Sequence, residues 1–139
     1  MFKKILVPLD GSTLAEGIIP RVEGLAKIHN AEVTLLRVAV AHTFPGMDPV
    51  QHQVTVVREA EEYLAKVEGD LRSVGVKTQA VVRYGQDAQE IVEHARNRDF
   101  DLIAMSTHGR TGLTQFVLGS VASKVIHTAS VPILLCRVS

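Results

Sequence analysis

Several residue types that mark whole classes of protein are rare or absent in this sequence. Tryptophan is absent, aromatic residues account for 4% of the chain, and Cys136 is the single cysteine. One cysteine excludes an internal disulfide, as is usual for proteins of a reducing cytoplasm. Because aromatic side chains are few, the 46% of residues that are hydrophobic must form an aliphatic core. Cys136 lies in an apolar run and is expected to be a small core residue.

The sequence also lacks an excess of charge of either sign and a long apolar run. It contains 15 basic and 15 acidic residues. Nucleic-acid binding relies on clusters of lysine and arginine that neutralise phosphates, so we expect no nucleic-acid partner. A membrane span needs about 20 consecutive apolar residues, and the run at residues 5–9 is too short even for a signal peptide. We therefore expect a soluble, cytoplasmic protein with no membrane partner.

What the sequence does contain is a regular alternation of strand and helix patterns. Short apolar runs predict five strands, at residues 4–9, 32–38, 76–83, 101–105 and 131–138. Hydrophobic residues at helical spacing predict helices at 12–30, 57–74, from 87 onwards, and from 117 or 120 to 128. Pro20 lies inside the first helix and should kink it. Residues 39–51 form the one long irregular segment.

This alternation predicts one α/β domain over residues 1–139, with a parallel sheet covered by helices on both faces. In open sheets of this kind, ligands bind beyond the carboxyl ends of the strands, where the strand order reverses. Three places in the chain meet that condition: the turn at residues 10–12, the segment after Val38, and residues 106–120. We expect the functional site at these positions.

Residues 106–120 carry the features that phosphate recognition requires. Glycine lets backbone N–H groups approach an anion closely, and a helix N-terminus adds unpaired N–H groups and the positive end of the helix dipole. Gly119 and Ser120 come directly before a predicted helix, and Arg110 offers a positive charge in the same loop. Neither common phosphate-binding fingerprint is present in the chain. A glycine-containing connector without a ligand therefore stays an alternative.

The same loop resembles the nucleotide loop of ATP-binding universal stress proteins, whose pattern is G-x2-G-x9-G-[ST]. Gly109, nine residues, and then Gly119 and Ser120 match the second half of that pattern. The opening segment at residues 7–12 resembles the family's N-terminal signature, and residues 119–135 resemble its last helix and strand. The resemblance covers essentially the whole chain, although its middle part is generic.

This resemblance implies a Rossmann-like fold, an open five-stranded parallel sheet of order 3-2-1-4-5 with two helices on each face. It also implies an ATP site and a homodimer formed along the last strand. The implied nucleotide-binding residues are Pro8, Leu9, Asp10, Val38, Met105, Ser106, His108, Gly109, Arg110, Gly119, Ser120 and Val121.

The roles implied for these residues follow the parts of the nucleotide. Asp10 would accept a hydrogen bond from the ribose hydroxyls or the adenine edge, and Val38 would contact the adenine. Residues 105–109 would line the ribose and phosphates. Arg110 and residues 119–121 would hold the phosphates, with Mg²⁺ bridging phosphate oxygens rather than held by a dedicated set of protein ligands.

One position departs from the family pattern, because Ser106 stands where the first motif glycine belongs. A serine there is harmless if φ is negative, whereas a positive φ would cost about 1 kcal/mol or more and act against the ligand. The second case leads to an alternative function, a nucleotide-free dimeric scaffold of the same fold.

The function implied is that of a nucleotide-dependent regulatory or stress-response protein with at most slow ATP hydrolysis. Efficient phosphoryl transfer needs a positioned base and strong charge stabilisation, and the loop offers only Arg110 and His108. His108 would contact phosphate or orient water, or else it only fixes the loop backbone. An adenylating enzyme would need a second substrate pocket, for which the chain leaves little room. His42, Asp48 and His52 fit no common metal-ligand spacing.

Overall fold

The computed structural model describes residues 2–40, 44–108 and 118–137 of the chain. Within these residues the strands are β1 (Lys4–Pro8), β2 (Glu32–Val40), β3 (Thr78–Gly85), β4 (Leu102–Ser106) and β5 (Ile133–Cys136). The helices are α1 (Ile19–His29), α2 (Pro49–Ser73), α3 (Asp87–Asn97) and α4 (Ser120–Thr128), and a 3₁₀ turn (Ala15–Ile18) precedes α1. None of the described helices combines the length and the apolarity that a membrane crossing requires.

The five strands form one parallel sheet in the order β3-β2-β1-β4-β5, which is the predicted order. β1 lies at the centre, where Val7 pairs with Leu35 of β2 and Ile5 pairs with Leu102 of β4. After β3 the chain crosses back to the other side of β1 to form β4. The order therefore reverses at β1, and the carboxyl ends of β1, β2 and β4 meet at one edge of the sheet.

Two helices cover each face of the sheet, as predicted. Val7 of β1 belongs to a core cluster that includes Val22 of α1 and Leu64 of α2. Its neighbour Leu6 belongs to a second cluster on the opposite face, which α3 and α4 close. Because successive strand residues point to opposite faces, a strand buried on both sides has to be apolar throughout. This explains the uninterrupted apolar run that begins the sequence.

The predicted kink at Pro20 is wrong. α1 begins at Ile19, so Pro20 occupies its first turn, where a missing N–H removes no hydrogen bond of the helix. The residues before it form the separate 3₁₀ turn. Ser12 starts this turn, since its Oγ accepts a hydrogen bond from the N–H of Ala15 at 3.1 Å. The proline thus marks the boundary between two short helical elements.

Both ends of the irregular segment predicted for residues 39–51 belong to regular elements. β2 continues to Val40, and α2 already begins at Pro49. Asp48 caps this helix, because its Oδ1 accepts hydrogen bonds from the N–H groups of Val50 and Gln51 at 3.0 and 3.3 Å. The 25-residue helix therefore reaches further towards the carboxyl ends of the strands than its apolar pattern indicates.

Candidate functional site

A cavity of about 410 Å³ lies at the carboxyl ends of β1, β2 and β4. This is the edge of the sheet at which the strand order reverses, and the volume is within the usual range for small-molecule sites. Its walls come from the strand ends, from the first turns of α2 and α3, and from the N-terminus of α4.

The structure brings the described members of the predicted site together around this cavity. They are Pro8, Leu9, Asp10, Val38, Met105, Ser106, His108, Gly119, Ser120 and Val121. The other two predicted residues, Gly109 and Arg110, lie outside the described residues.

Asp10 is held by the turn that follows β1. Its Oδ1 accepts hydrogen bonds from the N–H of Ser12 at 2.9 Å and from the Ser12 hydroxyl at 2.5 Å. Gly11 between them has a φ of +88°, a conformation that side chains with a Cβ rarely adopt. A Cβ at Gly11 would also collide with Nη1 of Arg37. The turn therefore fixes the Asp10 carboxylate at the cavity wall, with the Arg37 guanidinium close by.

Arg37 belongs to a polar cluster that links β2, α2 and the 3₁₀ turn. Its guanidinium carbon lies 5.4 Å from the centre of the Tyr63 ring. The Tyr63 hydroxyl donates a hydrogen bond to Oε2 of Glu16 at 2.8 Å. Burial raises the pKa of Tyr63, and the bond to Glu16 raises it further, so the hydroxyl remains a donor. An arginine within the apolar run of the second strand was the sequence signal for this cluster, and it was missed.

Gly119 brings two backbone segments into close contact at the other side of the cavity. Its N–H donates a hydrogen bond to the carbonyl oxygen of Thr107 at 2.8 Å. A Cβ at Gly119 would lie 2.7 Å from that oxygen and 3.3 Å from the Cα of His108. The φ of Gly119 is −60°, which any residue adopts. The need for glycine here therefore comes from packing within the protein and not from positive φ.

The N-terminus of α4 faces the cavity directly after this contact. Gly119 is the N-cap and supplies no capping side chain of its own. The first N–H groups of a helix have no partner within the helix. Ser120, Val121 and Ala122, which carry these groups, all line the cavity. This end of the cavity has the local geometry of an anion-binding site.

Ser106 and His108 are both buried at the end of β4. Ser106 is the last residue of the strand and does not have a positive φ. Its hydroxyl donates a hydrogen bond to the carbonyl oxygen of Ala15 at 3.0 Å. The departure from the family pattern therefore causes no backbone strain. Nδ1 of His108 lies 3.0 Å from Oγ1 of Thr107, a contact that fits the loop-fixing role.

The cavity also has walls that the sequence did not predict. They include Val40 at the end of β2, His52, Val56 and Glu59 of α2, and Asp87 and Ile91 of α3. Residues 52, 56 and 59 share one helix face. Residues 52 and 56 precede the helix start at residue 57 that the apolar pattern predicts, whereas Glu59, Asp87 and Ile91 lie inside predicted helices, where no motif marks them as cavity residues. Among the described residues there is no group of three or more His, Cys, Asp or Glu that could hold a metal ion. His42, whose spacing from Asp48 and His52 matches no common metal site, lies outside the described residues.

Comparison with known proteins agrees with the observed arrangement of strands. The model of the universal stress protein family matches residues 1–137 of the chain. The chain belongs to the universal stress protein family. Universal stress protein MJ0531 of Methanocaldococcus jannaschii is 35% identical and is aligned over 99% of this chain and 83% of its own.

Solved structures of universal stress proteins have the same fold. The structure of MJ0577 from the same organism has a TM-score of 0.91 and 30% identity, covering 100% of this chain and 98% of its own. A universal stress protein from Archaeoglobus fulgidus in complex with dAMP has a TM-score of 0.73, covering 96% of this chain and 97% of its own. Its identity of 20% makes it a likeness of fold alone.

The close backbone approach at Gly119 of this universal stress protein can be tested by substitution. Gly119→Ala should lower the free energy of unfolding by about 1–3 kcal/mol, because the new Cβ meets a backbone oxygen that cannot move freely. Urea unfolding measures the change. Gly69→Ala is the matched control, since a Cβ at Gly69 of α2 meets nothing within 4 Å. The control should be more stable by about 0.5–1 kcal/mol. A Gly119→Ala protein as stable as the parent would contradict the close approach.

Proposed function

We propose that this protein binds ATP in the cavity at the carboxyl ends of β1, β2 and β4. It acts as a nucleotide-dependent regulatory or stress-response protein in the cytoplasm. The observation that carries the proposal is the N-terminus of α4, which faces a cavity that Asp10 and Val38 also line. A cavity with an anion-binding end and an apolar end that carries a carboxylate suits a nucleotide.

Each part of the nucleotide has a matching part of the cavity. The phosphates belong at the N-terminus of α4, where Ser120 adds a hydroxyl to the N–H groups that have no partner within the helix. The nucleoside belongs between Asp10, whose carboxylate accepts hydrogen bonds from hydroxyl or amino groups, and the apolar wall at Val38. Arg110 and Gly109 are retained as phosphate contacts on the family resemblance. Mg²⁺ is assigned to the phosphate oxygens.

The adenine base is supported by the fold as well as by the motif. The Archaeoglobus fulgidus protein, which has the same fold, is in complex with the adenine nucleotide dAMP. Residues 109–120 match the second half of the pattern of the ATP-binding members of the family. We therefore assign an adenine nucleotide as the ligand class, with ATP as the ligand.

A regulatory role is favoured over an enzymatic one by the side chains at the phosphate end. The described side chains there are those of Thr107, His108 and Ser120. Nδ1 of His108 is already next to the Thr107 hydroxyl at 3.0 Å. Fast phosphoryl transfer needs a base that orients the nucleophile and several charges on the transferred group. We expect hydrolysis to be slow at most, so that the bound nucleotide biases conformation or partner choice.

The first test is the nucleotide content and affinity of the purified protein. Denatured protein should release ATP or its breakdown products, and calorimetry on the emptied protein should show ATP binding. Asp10→Ala should weaken that binding by about 10- to 100-fold, the range for a lost hydrogen bond to a charged group. Glu61→Ala removes an exposed carboxylate from α2 and serves as the control. Equal ATP affinities of Asp10→Ala and the parent would show that the site is misplaced.

Ser106→Gly separates an ATP-binding protein from a nucleotide-free scaffold. Since Ser106 is already extended, the glycine should raise ATP affinity less than about tenfold. It should also lower the free energy of unfolding by about 1 kcal/mol, because the hydroxyl no longer bonds to the buried carbonyl of Ala15. Calorimetry and urea unfolding measure the two effects. A parent that binds no ATP, with binding restored by Ser106→Gly, would show that this chain has lost its ligand.

We also propose that two copies of the chain associate along β5. This strand is at the edge of the sheet, and all four of its residues are only partly buried. An edge strand exposes unpaired backbone groups and is usually covered by another segment or another chain. Sedimentation velocity at a protein concentration of about 10 μM should give the mass of a dimer. A strict monomer under these conditions would contradict the proposal.

A further inference from the structure

His52, a residue that lines the cavity, carries a buried nitrogen that the described residues leave unexplained. Its Nε2 is shielded from solvent and has no hydrogen-bond partner among the described residues. The side chain lines the same cavity as Asp10 and Ser120. A buried polar atom without a partner destabilises a protein, and each case in a native structure calls for an explanation. A ligand that completes the hydrogen bond is one such explanation, and the position of His52 in the cavity favours it.

The start of α2 holds His52 in this position. The N–H of His52 donates to the carbonyl oxygen of Asp48 at 3.0 Å, so the residue already belongs to the regular helix. The Asp48 carboxylate caps the same turn. Val56 and Glu59, which follow at helical spacing, line the cavity as well. The imidazole is therefore carried by a capped helix whose face forms one wall of the cavity.

The sheet order decides which part of a nucleotide His52 would meet. α2 packs against β2 and β3, on one side of the central strand β1. α4 begins after β4, on the other side of β1, and belongs to the opposite layer of helices. A nucleotide whose phosphates contact Ser120 therefore extends across the end of β1 towards Val38 and His52. His52 belongs to the nucleoside end of the cavity.

We propose that Nε2 of His52 forms a hydrogen bond with the nucleoside part of the bound nucleotide. This inference rests on the proposed function, because it requires a nucleotide in the cavity. An imidazole nitrogen donates when it carries a proton and accepts when it does not. An adenine nucleoside offers an amino group, ring nitrogens and ribose hydroxyls, so it contains a partner for either form. His52 is thus a further binding residue of this site.

The test measures the Tm of the ligand-free protein and its affinity for ATP, which the proposal predicts to respond differently to one substitution. His52→Leu removes the unpaired polar atom, so the emptied protein should keep its Tm or gain about 2–4 °C. The same variant should bind ATP about five- to tenfold more weakly, the loss expected for one neutral hydrogen bond. A purely structural histidine would do the reverse, lowering Tm and leaving the affinity for ATP unchanged.

Three comparisons complete the experiment. His52→Gln keeps a donor and an acceptor and should retain more ATP affinity than His52→Leu. Gln53→Leu makes a similar change on the exposed side of α2 and should leave ATP affinity unchanged. AMP should lose affinity by the same factor as ATP in His52→Leu, because both carry the same nucleoside.

The outcomes separate this inference from the function on which it rests. A parent that binds ATP together with a His52→Leu variant of equal affinity overturns the role of His52 alone. A loss that appears with ATP and not with AMP places His52 at the outer phosphates and also overturns it. A parent that binds neither nucleotide overturns both the proposed function and this inference.

Discussion

The hydrogen bond from the N–H of Gly119 to the carbonyl oxygen of Thr107 determines where the site can be. It joins the residue after β4 to the residue before α4 at a distance that leaves no room for a Cβ. Because of this contact, the first turn of α4 begins beside the buried end of the sheet instead of over solvent. The placement of Ser120 and of the unpaired N–H groups of the helix depends on it.

The rest of the cavity is formed by elements whose boundaries are fixed by local interactions. The Asp10 turn requires the positive φ of Gly11 and is stabilised by the two hydrogen bonds from Ser12. The start of α2 is fixed by the Asp48 cap. These local interactions act on two separate segments, and the parallel sheet brings both to the edge at which α4 begins. The site is thus a product of topology as much as of any motif.

The fold could be predicted from the sequence because its signals are local. Apolar runs such as residues 4–9 and the helical periodicity between them indicate the layers, whereas the strand order came only from the family resemblance. Order depends on contacts between strands that are far apart in the chain, and periodicity within one strand does not report them. The boundary errors at Pro20 and Pro49 have one origin. A proline tolerated in the first turn of a helix looks, in sequence, like a break within it.

The residues predicted from the sequence form only part of the cavity wall, for a related reason. Gly119, Ser120 and Asp10 stand at element boundaries and could be found by their residue types, as glycine, helix start and turn carboxylate. His52 and Val56 have no such signature, because they become part of the cavity only when α2 packs beside β2. Arg37 likewise gains its importance from Tyr63 and the Asp10 turn, which lie far from it in the chain.

The close approach at Gly119 has a consequence for how lineages of this fold diverge. A glycine that is required by the protein's own backbone is under selection for folding, whether or not a ligand is still used. Such a glycine would be retained in a descendant whose pocket no longer binds a ligand. Its presence in a motif therefore indicates common ancestry and a common fold. A side chain that lowers the stability of the ligand-free protein is retained only while the ligand is bound. Once the ligand is lost, such side chains should be the first to be replaced. His52, whose Nε2 has no hydrogen-bond partner within residues 2–40, 44–108 and 118–137, is therefore a better indicator of whether a ligand is still bound than the glycine of the motif.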